Sequence, residues 1–218
     1  MSAVVLHSGG MDSSICLLLA CRFFGNTKVV SLGFNYAQRH KSEVDAARFI
    51  ASHLGVKRVE MDIPKILGWE TSSLVNTSLP ITQEGAMPNS FVPGRNGLFL
   101  MMAAPYAKSI GANCLHIGVM EQEGANSGYP DCSRQYIDLV QAVIRSDLQD
   151  EAFSVVTPLI HMSKAETLAV AASMGKLEFL LEHTISCYQG IPHSGCQTCP
   201  ACILRSKGLK EFYLSKHR

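Results

Sequence analysis

The chain is expected to fold as an α/β protein: a doubly wound, mainly five-stranded parallel sheet with a metal-binding helical tail at its C-terminus. Three observations carry that expectation. Short apolar runs alternate with helical stretches along the 218 residues, the pattern of a parallel sheet covered on both faces. A Ser8-Gly9-Gly10-Met11-Asp12-Ser13 turn joins the first apolar run to the first helical stretch. Near the C-terminus Cys187, Cys196, Cys199 and Cys202 read C-x8-C-x2-C-x2-C.

Residues 3–7 form a short buried strand, and 12–24 a helix carrying Leu17, Leu18 and Leu19. Residues 28–34 are the second strand and 42–54 a helix stopped by Gly55, because glycine just past a periodic run ends it. The third strand spans 56–63. Residues 96–110, rich in Leu, Met and Ala, form a helix with Gly111 at its end. A fourth strand at 113–119, a helix at 133–148 and a fifth strand at 153–156 complete the alternation. In such sheets ligands bind beyond the carboxyl ends of the strands, which directs attention to 8–13, 35–40 and 120–132. Residues 69–94 show no clear period and hold Pro80, Pro88 and Pro93, as a lid or substrate loop would. The expected organisation is one α/β unit over 1–182 with 183–218 as a metal-tied segment packed on it.

A hydrophobic fraction of 47% supplies a sizeable core, and a net charge of +1 gives no basic footprint for nucleic acid. No apolar run reaches the length of a membrane span, and the first ten residues lack a signal peptide's basic head. A cytoplasmic protein with no membrane partner is expected, and that compartment keeps thiols reduced. Cys16, Cys21 and Cys114 read as buried small hydrophobes, and Cys132 as a loop residue.

In the loop after the first strand, adjacent glycines allow a tight turn that brings backbone N–H groups to an anion, and the next helix adds the partial positive charge of its N-terminus. Ser8 and Ser13 add hydroxyls, and no Gly-Lys-Ser/Thr is present, so this is not a Walker A loop. Asp12 beside phosphates calls for an intervening cation, which argues for Mg²⁺; its alternative reading is a helix cap. The four cysteines suit closed tetrahedral thiolate ligation of a structural Zn²⁺, with an iron–sulfur centre as the alternative. In the helix expected at 203–213, Arg205 lies three residues beyond a ligand and is the candidate to deliver a cation to the active site; Lys207 and Lys210 read as a solvated face.

The loop resembles the pyrophosphate loop of the N-type ATP pyrophosphatases, whose fold is adenine nucleotide alpha hydrolase-like. The resemblance narrows to the 7-cyano-7-deazaguanine synthase (QueC) family over about 4–213. Its further motifs are Phe34-Asn35-Tyr36-Ala37-Gln38-Arg39-His40, Phe91-Val92-Pro93-Gly94-Arg95-Asn96, Ser127-Gly128-Tyr129-Pro130-Asp131-Cys132, Thr157-Pro158-Leu159, Lys164-Ala165-Glu166 and the cysteine tail. It implies an ATP-dependent carbon–nitrogen ligase that turns 7-carboxy-7-deazaguanine and ammonia into the nitrile by way of an adenylate and an amide, consuming two ATP with Mg²⁺, in a homodimer.

Arg95, Lys164 and Arg205 are then assigned to phosphate or acyl-oxygen stabilisation, with Asp12 as the fourth catalytic residue. Ser8, Gly9, Gly10, Met11, Asp12, Ser13, Gln38 and Arg39 bind ATP, and Tyr129 and Asp131 bind the substrate ring. Asp131 also reads as an Asx turn after proline, Lys164 as a surface lysine after the helix cap Ser163, and His40 as a packed loop residue. The chain departs from the family in two segments. Asn35 and Ala37 stand where it has Asp and Gly, and residues 120–126 form a longer loop in which Glu121 or Glu123 is a candidate replacement for the lost carboxylate. These departures open a second reading: a QueC-like ligase that stops at the amide or joins the deazaguanine to a protein amine. A non-catalytic nucleotide-binding module and a tRNA-thiolation relative form a third class.

Overall fold

A computed structural model describes residues 2–36, 38–82, 87–121 and 128–215. Its five strands, β1 (Ala3–Leu6), β2 (Val29–Asn35), β3 (Lys57–Asp62), β4 (Cys114–Ile117) and β5 (Ser154–Val156), form one parallel sheet in the order β3-β2-β1-β4-β5. Seven α-helices are described: α1 (Met11–Phe24), α2 (Ser42–His53), α3 (Arg95–Ser109), α4 (Arg134–Leu148), α5 (Lys164–Ser173), α6 (Leu177–His183) and α7 (Pro200–Ser215). The alternation of side chains along β1 shows why both sheet faces are covered. Val4 and Leu6 enter a core with Leu100, Ala103, Ala104 and Ala107 of α3 and Ile137 and Ile144 of α4. Val5 points the other way, onto Cys16, Leu17 and Ala20 of α1 and Ile50 of α2. The strand period of two thus feeds opposite helical layers. Cys16, Cys21 and Cys114 are buried, as expected.

Expected and observed bounds agree within a few residues. The sequence marks the start of α5 by its cap Ser163 but yields no bounds for it or for α6; the two helices build a third apolar cluster with α1 and Phe212 of α7. α5 begins with a capping box: Ser163 Oγ accepts from Glu166 N while Glu166 Oε2 accepts from Ser163 N. α7 starts at Pro200, earlier than expected, so Cys202 lies on the helix. The chain runs outward from β1 to β3 and then crosses back to β4 on the other side of β1. That reversal places the topological switch point between β1 and β4, next to the 8–13 loop. Among the described residues no helix is long and apolar enough to cross a membrane.

Candidate active site

A cavity of about 570 Å³ opens above the carboxyl ends of β1, β2 and β4, within the range of small-molecule sites. Its floor is the 8–13 loop, of which Ser8, Gly10, Met11, Asp12 and Ser13 line the space. Gly9 does not line it; its φ of +95° and a closest approach of 2.1 Å between an added Cβ and Glu43 O show that it admits the first turn of α2. From below, Arg58 Nη1 donates to Ser31 Oγ (2.9 Å), His7 Nδ1 lies 2.9 Å from Ser31 Oγ, and His7 Nε2 lies 3.0 Å from Ser14 Oγ. Ser14 Oγ spends its proton on Gly10 O (2.8 Å). His7 is therefore the Nε2–H tautomer, donating to Ser14 and accepting from Ser31. Burial, then the Arg58 charge, push its pKa down to about 3, so the imidazole is held neutral.

Asp12, on the first turn of α1, pairs through Oδ1 with Lys164 Nζ. Lys164 is only 4% exposed, which removes the surface-lysine reading. The stem has room because Gly208 of α7 faces it: a Cβ there would lie 2.5 Å from Lys164 Cγ. Arg95 opens α3, lines the cavity and donates to Tyr36 Oη (3.3 Å). Burial opposes its charge, but Tyr36, Asp131 and Tyr188 outweigh that, and its pKa stands above the usual arginine value.

The tail supplies the opposite wall. The Sγ atoms of Cys187, Cys196, Cys199 and Cys202 lie within 4.8 Å of one another. Gln189 N and Cys196 N donate to Cys187 Sγ, and Cys199 N to Cys196 Sγ, as suits thiolates. Gly195, at φ +66°, keeps the centre open, since its Cβ would sit 2.4 Å from Cys202 Sγ. Donor set and cradle fit one metal ion with no open coordination position. The segment before the first cysteine is tied to the loop by Ile185 N donating to Gly9 O (3.1 Å). Tyr188, Ile203 and Lys207 line the cavity.

Several expected site residues stand differently from the sequence reading. Arg205 does not line the cavity; its Nη2 donates to Leu181 O at the end of α6 (2.9 Å). Lys207 is exposed, as the sequence reading has it, with its side chain 65% accessible and its Nζ 4.0 Å from Glu211 Oε1, and it reaches the edge of the cavity. Asp131 is 3% exposed and is not among the lining residues. Its Oδ2 accepts from Asn96 N (3.4 Å), satisfying an orphan donor of α3, whose N-cap Gly94 offers no side chain. Tyr129 does line the cavity, with its hydroxyl 2.7 Å from Ser90 Oγ and 3.3 Å from Tyr188 Oη.

Gln38 and Arg39 also line the cavity, yet both are engaged. Gln38 Oε1 accepts from Tyr36 N, and Arg39 Nη1 donates to Ser73 O and Leu79 O, pinning the 69–94 stretch. His40 shares Ser42 Oγ with the tail carbonyl of Gly190. Asn35 donates to Asp62 Oδ1 (2.9 Å), and neither residue lines the cavity. Glu121 accepts from Arg134 N at the start of α4, while Ala37, Glu123 and Ser127 lie outside the described residues. The residue that sequence reasoning missed is Glu43, which lines the cavity from α2. The available signal was its place in the first helical turn after the 35–40 strand end.

Among solved structures, the chain is similar in fold to the U34-tRNA thiolase NcsA from Methanococcus maripaludis with its [4Fe-4S] cluster, with a TM-score of 0.53 and 14% identity, covering 100% of this chain and 67% of that one. It is also similar to a 4-thiouridine synthetase solved in an RNA complex with bound ATP, with a TM-score of 0.50 and 18% identity; 98% of this chain aligns and spans about half, 51%, of that protein. These likenesses speak to the fold. A match to the family described as Queuosine biosynthesis protein QueC runs over residues 2–213, nearly the whole chain, and takes in the loop, the Arg95 turn and the cysteine tail. The chain belongs to the QueC family of queuosine biosynthesis proteins.

Proposed function

We propose that the protein is an ATP-dependent carbon–nitrogen ligase that converts 7-carboxy-7-deazaguanine and ammonia to 7-cyano-7-deazaguanine through an adenylate and an amide. The observation that carries the reading is the convergence, in one cavity, of an anion-binding loop, the Asp12–Lys164 pair, Arg95 and a tail-built wall. A carboxylate resists ammonia because it is anionic and its oxygen leaves poorly; adenylation removes both obstacles. Loop N–H groups and the α1 N-terminus receive the phosphates. Lys164 supplies the cation that Asp12 requires beside them, and Asp12 is the group to hold the Mg²⁺ that accompanies ATP. Arg95, held cationic, stabilises charge on the acyl and phosphoryl oxygens, the term that dominates such reactions. A second activation, of the amide oxygen, then drives loss of the oxygen and forms the nitrile.

The tail metal is assigned as structural Zn²⁺. Tetrahedral zinc–thiolate bonds set sulfurs about 3.8 Å apart, and the Cys196 and Cys202 sulfurs are 3.9 Å apart. A four-iron cluster binds each cysteine to a different iron and spreads the sulfurs further. Zinc supplies cross-linking here, fastening the wall that carries Tyr188 and Lys207. The Asn35 departure falls on a side chain turned to Asp62, outside the cavity lining, which favours nitrile formation over arrest at the amide. Incubation with the carboxy substrate, ammonium and ATP, followed by product mass, tests the proposal. The nitrile is expected; accumulation of amide alone, or of a protein adduct, contradicts it.

A further inference from the structure

Glu43 stands in the cavity with no part in the steps above. Its carbonyl oxygen packs on Gly9, which anchors its backbone to the phosphate loop. Its carboxylate faces the same space as Asp12, Arg95 and Tyr188 and has no hydrogen-bond partner among the described residues. The charged and titratable groups that bear on it are Arg95 of α3 and Tyr36 at the end of β2. Burial in the cavity wall raises its pKa to about 7, with Arg95 working against the rise. A carboxyl group in that condition exchanges a proton readily near neutrality. Among the other charged groups lining the cavity, Asp12 pairs with Lys164, Arg95 donates to Tyr36, Arg39 and Arg58 donate to the surrounding loop and strand, and Lys207 lies 4.0 Å from Glu211.

We infer that Glu43 is the general base of the carbon–nitrogen bond-forming step, taking the proton that nitrogen loses when ammonia attacks the adenylated carboxyl carbon. The inference rests on the ligase reading. The nitrogen lone pair forms the C–N bond, the C–O bond to the adenylate phosphate breaks, and AMP departs with that electron pair. One proton leaves nitrogen for the Glu43 carboxylate and passes from there to solvent. Ammonia offers only N–H groups and one lone pair for recognition, and an acceptor with no protein partner is their complement.

The test compares wild type with Glu43→Gln on the full chain, using ammonium in one arm and hydroxylamine in the other. Hydroxylamine is the stronger nucleophile and captures an acyl adenylate without a base. Amide formation from ammonium is expected to fall by about 10²-fold or more in the variant, with hydroxamate formation falling at least roughly tenfold less. Glu43→Asp should recover part of the ammonium rate. Equal losses in both arms, or a matching loss of pyrophosphate release that added Mg²⁺ repairs, would overturn the inference and leave the ligase reading standing. Wild-type protein that forms neither amide, nitrile nor hydroxamate would overturn both.

Discussion

Gly208→Ala should separate the tail helix from the active-site lysine. Alanine is favoured over glycine in a helix by about 1 kcal/mol, so propensity alone predicts a more stable protein. The packing predicts the opposite. An added Cβ would lie 2.5 Å from Lys164 Cγ, 2.7 Å from its Cβ and 3.2 Å from its backbone carbon. The lysine stem cannot swing aside, because its head is paired with Asp12 and its backbone belongs to α5. Reaching ordinary contact requires α7 and α5 to part by about 1 Å, and overpacking of that order costs about 3 kcal/mol. The net loss is about 2 kcal/mol, or about 4–5 °C in Tm for a chain of this size. A lysine displaced by about 1 Å should also slow substrate-dependent pyrophosphate release about 10²-fold. Thermal melts beside the control Ser206→Ala, an exposed α7 position, measure the first effect and a pyrophosphate assay the second. A Gly208→Ala protein that melts above wild type and releases pyrophosphate at the full rate refutes the argument.

The remaining predictions concern the metal, the loop and pH. Cys199→Ser should lower zinc content and melting temperature together, since metal binding is coupled to folding; unchanged values of both reject the structural assignment. Asp12→Asn should abolish pyrophosphate release while circular dichroism stays native-like, and retained release would remove Asp12 from the chemistry. His116, buried with both ring nitrogens lacking partners among the described residues, has its pKa lowered from 6.5 to about 4 by burial. The unfolded chain then binds a proton below 6.5 that the native state refuses until about 4, so stability is lost as pH falls through that window. At pH 5 the loss from this residue is about 2 kcal/mol. His7, held neutral to about 3, contributes over the same window, so His116→Phe should remove roughly half of the combined slope in urea titrations, and an unaltered slope would show that the His116 imidazole is not a source of it.

Much of this architecture was legible because local patterns and tertiary structure agree. The short apolar run of β1, the glycine stops at Gly55 and Gly111, and the cysteine spacing each report on a few neighbouring residues. Ser163 was readable as a cap for the same reason. What escaped depends on contacts between distant elements. Lys164 is buried only because Gly208, 44 positions later, lets α7 approach it. Glu43 looks like an ordinary acid in a first helical turn until Gly9 brings α2 onto the loop. Arg205 and Lys207 differ by little more than half a helical turn, so choosing which one faces the cavity requires the rotation of α7, and that rotation is set by the metal site and Lys164. Asp131 was read as a ring acceptor because nothing in its tripeptide reveals that Asn96 N needs it.

The central claim, that this cavity activates the same carbon twice, first as a carboxylate and then as an amide, is tested most directly by counting AMP released per molecule of 7-carboxy-7-deazaguanine consumed, with ammonium in excess. The account predicts two AMP and two pyrophosphates for each nitrile formed. One AMP per substrate with amide as the end product, or ADP and phosphate in place of AMP and pyrophosphate, would contradict it.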